Sequence, residues 1–90
     1  MRIYKYTLEL EQTQQIAIQG LKQVLSVCNQ RNNIVLYALV DEKEKTTQCL
    51  EIKIAGTGHI IEKEAYMTHK FLGTVSIMQG HFMWHIFYRH

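Results

Sequence analysis

Apolar and polar residues alternate along most of the chain with a period of two. Tyr4, Tyr6, Leu8 and Leu10 are separated by Lys5, Thr7 and Glu9, and Ile16 and Ile18 are flanked by Gln15 and Gln19. In an extended backbone successive side chains point to opposite sides, so this spacing predicts half-buried strands. Further strands are expected around Val24 to Cys28, over Ile34 to Val40, Gln48 to Ala55, Phe71 to Met78 and His81 to Tyr88. The breaks between them fit. Asn29 to Asn33 is rich in residues that tolerate left-handed geometry, Asp41 to Lys45 is a charged loop, and Gln79-Gly80 suits a two-residue hairpin turn. β-branched residues and Gly20 weigh against a helix over Glu11 to Leu25. Only a short helical turn around Glu62 to Met67 is expected, inside the irregular stretch Ile60 to His69. The prediction is one all-β domain over residues 1–90, a small antiparallel sandwich or barrel of about seven strands.

Two strands depart from simple alternation. Ile34 to Val40 is apolar on both faces, and Phe82 to Tyr88 nearly so. One explanation is that both strands are central in a tight sandwich. The other is that one apolar face meets a second chain, because a small domain has little to cover both faces with. Trp84, Phe87 and Tyr88 favour the second for the last strand, and with it a homo-oligomer, a dimer or tetramer.

Composition narrows the partners. The chain is 47% hydrophobic and 20% charged, in the range of a globular domain rather than a disordered one. Its net charge is +2, with ten Lys and Arg spread along the chain. Without a basic run, bulk nucleic acid is not an expected partner, whereas a small ligand carrying a phosphate or two is compatible. Cys28 and Cys49 lie in apolar strand patterns and are expected to be reduced and buried. The opening residues lack the apolar core of a signal peptide and no apolar run reaches membrane length, so a cytoplasmic setting is expected. No cofactor is implied.

The strand Leu50 to Ala55 runs into Gly56-Thr57-Gly58-His59. Two glycines one residue apart permit positive φ or a close approach, Thr57 adds a hydroxyl, and His59 adds a ring that exchanges protons near neutral pH. Such a loop suits an anion. The same residues also suit a plain tight turn after a strand. His81 and His85 would be about 13 Å apart in a strand, too far to share an ion, so no metal site is expected. Ser26 and Ser76 lack a nucleophile elbow. Acid–base cleavage of a phosphodiester by His59 with His85 stays open, although the paired His-x-Thr strands of two-histidine phosphoesterases are absent. His85, sharing a face with Met83 and Phe87, also fits a hydrogen-bonded core or interface histidine.

Leu36-Tyr37-Ala38-Leu39-Val40-Asp41, Gly56-Thr57-Gly58-His59-Ile60-Ile61, Phe71-Leu72-Gly73-Thr74-Val75 and Trp84-His85-Ile86-Phe87 together resemble a family of small tailed-phage proteins. The opening Ile3-Tyr4-Lys5-Tyr6 fits as well. In that family an Ala-Leu-Val-Asp strand precedes a Tyr-Gly-Thr-Gly-His-Pro loop, and a Trp-His-Val-Phe strand ends the chain. Here Ala55 stands where the family commonly has Tyr and Ile60 where it has Pro. The family is mostly of unknown function, and phage proteins of this size include oligomeric sponges for the cyclic nucleotides of bacterial immunity. The resemblance therefore implies an anti-CBASS sponge in the infected host's cytoplasm, binding without turnover. Gly56, Thr57, Gly58 and His59 would meet a phosphate, Lys53 or Arg89 would neutralise charge, and Trp84 or Tyr37 would stack, with His85 nearby. The alternatives are a phosphodiesterase using His59 and His85, or a structural or host-protein interaction module with no small ligand.

Overall fold

In a computed structural model describing residues 1–90, the period-two segments form seven strands. They are β1 (Arg2–Leu8), β2 (Thr13–Gln19), β3 (Leu21–Gln30), β4 (Asn33–Val40), β5 (Thr47–Gly56), β6 (Lys70–Ile77) and β7 (Phe82–Arg89). A single short helix, α1 (Lys63–Thr68), lies between β5 and β6. Sheet order is β1-β4-β3 in one layer and β2-β5-β7-β6 in the other, with every pair antiparallel. The fold is all-β.

Local chemistry sets the strand ends. β1 stops at Leu8 rather than Leu10, because the Gln14 side-chain amide takes both the Glu9 N–H (2.9 Å) and the Glu9 carbonyl (2.7 Å). β3 runs longer than its apolar pattern, and the turn into β4 shrinks to Arg31-Asn32, both at positive φ (53° and 64°). That is the left-handed geometry that matches strand twist in two-residue hairpins. Gln79-Gly80 turn the β6–β7 hairpin with φ of 57° and 89°, and the His81 N–H donates to the Met78 carbonyl at 3.1 Å. The two hairpins are tied together. Asn29 Nδ2 donates to the Ser76 carbonyl at 2.7 Å, and Asn32 Oδ1 accepts the Met78 N–H at 3.1 Å.

β2 and β3 are nearly one strand, broken only at Gly20, and they pair along β4 and β5 as a long ribbon. The ribbon changes sheets at this corner. Gly20 has φ of +76°, its N–H donates to the Thr46 carbonyl, and its carbonyl accepts the Asp41 N–H, each at 2.8 Å. A methyl group here would sit 2.2 Å from the Asp41 carbonyl oxygen. Only glycine fits.

Between the sheets lies a cluster of 14 buried apolar residues, including Ile34, Leu36, Ala38 and Val40 of β4, Leu50, Ile52 and Ile54 of β5, and Ile86 of β7. Burial of each large member contributes about 1.5–3 kcal/mol. β4 and β7 are both central in their sheets, and on the face away from the core β4 buries Val35 whereas β7 leaves Met83 exposed. Trp84 and Tyr88 pack against this core rather than forming an outward patch. Cys28 and Cys49 are free but exposed, contrary to expectation. They sit opposite Val35 and Ala17, at positions whose strand neighbours Val27 and Leu50 point inward, and alternation turns both thiols out.

Gly20→Ala should lower the urea midpoint sharply, with the positive φ alone costing about 1–3 kcal/mol and the collision adding to it. Gly80→Ala, where φ is +89° but the nearest atom to the new methyl is 3.8 Å away, should cost less. Equal losses in the two variants would remove the corner contact from the account.

Candidate functional site

Ile54 pairs with Ile86 and both are buried, so the flanking residues on β5 and β7 point away from the core. Three pairs share that outward face: Glu51 with Arg89, Lys53 with Phe87, and Ala55 with His85. The chain leaving β5 folds back over them through α1.

His69, just after α1, anchors this cover. Its side chain is 2% exposed, its Nε2 lies 2.9 Å from Glu51 Oε1, and its Nδ1 lies 3.0 Å from the Ala65 carbonyl and 2.9 Å from Thr68 Oγ1. Arg89 Nη2 reaches the same Glu51 oxygen at 3.2 Å. Burial by itself pushes the Glu51 carboxyl upward. The His69 hydrogen bond, the Arg89 charge, the Gln15 hydrogen bond and the Lys53 charge outweigh it and hold the group below its ordinary value. Nothing in the spacing of Glu51 and His69 announces this contact.

Beside the anchor is a groove of about 240 Å³. Lys53, Ala55 and Phe87 line its sheet side, and Ile60, Ile61, Ala65 and Tyr66 its other wall, with Gln12 and Glu62 as polar groups. Lys53 Nζ donates to Thr13 Oγ1 at 2.8 Å and has no carboxylate within ion-pair distance. Arg89, by contrast, is engaged by Glu51. From sequence Phe87 reads as an interface residue and Ile60 only as a departure from the family pattern, and Tyr66 is not singled out; Phe87 is the cross-strand partner of Lys53 and shares the parity of His85.

The Gly-Thr-Gly-His loop is built differently from an open anion cradle. The Gly56 N–H donates to His59 Nδ1 at 3.2 Å, the His59 N–H to the Gly56 carbonyl at 3.0 Å, and the Thr57 N–H to the Met83 carbonyl at 3.3 Å. Gly58 has the expected positive φ, +86°, with open space around it. Since Nδ1 accepts a hydrogen bond, the proton of the His59 ring sits on Nε2. A methyl on Gly56 would meet the His59 ring at 2.8 Å and Trp84 at 3.1 Å, so the ring lies on Trp84's side of the sheet. His85 lies on the other side, where Thr57 Oγ1 (2.8 Å) and Thr74 Oγ1 (2.9 Å) hold its two nitrogens.

The structure thus brings Gly56, Thr57, Gly58, His59, Trp84 and His85 to one end of β5 and β7, with Lys53 and Arg89 farther along the outward face. His59 and His85 are on opposite faces and form no acid–base pair. Tyr37 does not join them. It belongs to the other sheet, on β4 between Lys5 and Ser26, because its strand pairs with β1 and β3. No group of three or more His, Cys, Asp or Glu side chains is placed to hold a metal ion. No helix is long and apolar enough to cross a membrane.

The sequence profile of a domain of unknown function, DUF7352, matches residues 1–90. The chain belongs to the DUF7352 family. No curated protein and no solved structure matches it.

Two outcomes follow from that geometry. A carboxyl held below its ordinary value of 4.5 stabilises the fold fully above that pH and loses the contribution as pH falls through the lowered value. Glu51→Gln should therefore flatten the acid limb of a urea-midpoint series taken from pH 7 down to about 3; an unchanged slope would contradict the anchor. Gly56→Ala should expel the His59 ring from its place beside Trp84, visible as a changed tryptophan emission. Gly58→Ala should leave the emission as it is, at a cost of about 1–2 kcal/mol from φ alone.

Proposed function

We propose that this protein binds a small phosphate-bearing ligand of the nucleotide class in the groove under α1 and holds it without cleaving it. The observation that carries this reading is Lys53, a cation with no carboxylate within ion-pair distance, opening into an apolar groove beside Phe87 and Tyr66. A phosphate would meet the ammonium, a planar base would lie along the apolar wall, and Gln12 and Glu62 would take up polar groups at its edge. A groove of 240 Å³ is smaller than the roughly 300–1,000 Å³ of pockets that enclose a drug-sized ligand. It would accept one base with its sugar and leave the rest of a larger ligand projecting.

Sequestration rather than turnover is favoured by the absence of an assembled acid–base pair, since His59 and His85 face opposite sides of the sheet. The loop's role moves accordingly. With three of its amides already bonded, Gly56 to His59 shapes the end of the site instead of cradling the phosphate. The resemblance to small tailed-phage proteins extends the reading to a biological one, a sponge for a cyclic nucleotide signal in the cytoplasm of an infected host.

Titration calorimetry and thermal shift with a cyclic dinucleotide and with AMP test the proposal. Binding should raise the melting temperature, because a ligand that binds only the native state stabilises it. Lys53→Gln should weaken binding by about 10- to 100-fold, the range of a charged hydrogen bond. Ligand recovered after denaturing the protein should be intact. A linear product would instead indicate a phosphodiesterase. Absence of any stabilisation would favour an interaction module without a small ligand.

A further inference from the structure

Four strands form the edges of the two sheets: β1 and β3 in one, β2 and β6 in the other. An edge strand exposes unpaired N–H and C=O groups, and natural proteins blunt such edges with charge, bulges or cover. Three of these edges are blunted. β1 carries Arg2 and Lys5; β3 carries Lys22 and two register breaks; β6 carries Lys70 and a register break, and is tied to β3 through Asn29. β2 is different. Thr13–Gln19 has no charge, no proline and an unbroken register against β5.

The parity of the ladder identifies the free groups. The Ile54 N–H donates to the Gln12 carbonyl at 3.0 Å, so Gln12, Gln14, Ile16 and Ile18 bond toward β5. Thr13, Gln15, Ala17 and Gln19 then aim their N–H and C=O groups at the open edge, and all four residues are exposed. No side chain or backbone group of the chain bonds to them there.

We infer that β2 pairs antiparallel with β2 of a second copy of this chain, joining two four-stranded sheets into one of eight strands. One two-fold register satisfies every free group. Thr13 pairs with the partner's Gln19 and Gln15 with the partner's Ala17, together with the two symmetry equivalents. Sliding by two residues strands a pair of groups at each end. The chosen register sets Ile16, half-buried at the margin of the core, opposite the partner's Ile16 in a closely spaced pair. No like charges meet along the seam, because β2 has none. A self-complementary edge of this kind is what an isologous dimer requires. The inference stands apart from the ligand reading: the two share only Thr13, by its hydroxyl there and its backbone here, and their tests differ.

Light scattering on the full chain at micromolar concentration should give about 21 kDa, twice the 10.6 kDa of one chain. Ala17→Pro removes an outward N–H while leaving the β2–β5 ladder intact, and Ala17→Lys adds charge to the seam. Both should remain folded by circular dichroism and give the single-chain mass. For the register, Ile16→Cys in a Cys28→Ser, Cys49→Ser background should form an intermolecular disulfide on mild oxidation. Gln19→Cys in that background should not, because the two thiols would lie about 20 Å apart. A wild-type chain of single mass, or a dimer that survives both Ala17 variants, would overturn the inference. Crosslinking by Gln19→Cys in preference to Ile16→Cys would overturn the register.

Discussion

The register of β5 against β7 governs the rest of the molecule. Ile54 opposite Ile86 places one apolar pair at the centre of the core, and every neighbouring residue inherits its face from that pairing. A slip of one residue would turn one of the two strands over, burying either Lys53 and Glu51 or His85 in place of that strand's isoleucine, at a cost no contact on the outward face could offset. Because the core forbids that slip, Lys53, Phe87, Ala55 and His85 are held as a fixed array. The positions of the cation and of the groove beside it are therefore consequences of packing on the opposite face.

Two further devices hold the array in place. Gly20 folds the long ribbon so that its halves belong to facing sheets, and the fit leaves no room for a methyl group. The Glu51–His69 contact then ties α1 to the outward face and creates the groove between them. Neither the helix nor the segment before it has a buried apolar stripe of its own; α1 contains no buried residue. A six-residue helix is too short to be stable alone. Its position depends on the buried histidine and its charged partners.

Alternation made the strands legible, and the turn residues made most of the hairpins legible. Asn-rich and Gln-Gly segments turn where their tolerance of positive φ indicates. Strands with two apolar faces were harder, because a period of two does not say which parity points inward. Trp84 was for that reason grouped with Phe87 and Tyr88 as one apolar surface, whereas Trp84 and Tyr88 pack against the core and Phe87 faces outward. Cys28 and Cys49 went the same way in reverse, since an apolar neighbourhood in sequence includes both faces. The Gly-Thr-Gly-His loop showed its backbone freedom in sequence, and Gly58 uses it. That its amides are consumed by His59 and Met83 depends on a fold-back and on a neighbouring strand, neither of which sequence spacing contains. Glu51 with His69, and Lys53 with Tyr66, are long-range meetings of the same kind.

The central claim is that the outward face of β5 and β7 under α1, rather than the glycine loop itself, receives the ligand. Amide chemical-shift mapping on nitrogen-15-labelled protein titrated with a cyclic dinucleotide tests it most directly. The account predicts that the largest shifts fall at Lys53, Ala55, Phe87 and the segment from Ile60 to Tyr66, with little change at Tyr37 and its neighbours in the other sheet. Shifts concentrated at Gly56 to His59 and Trp84, with Lys53 and Phe87 unmoved, would contradict it.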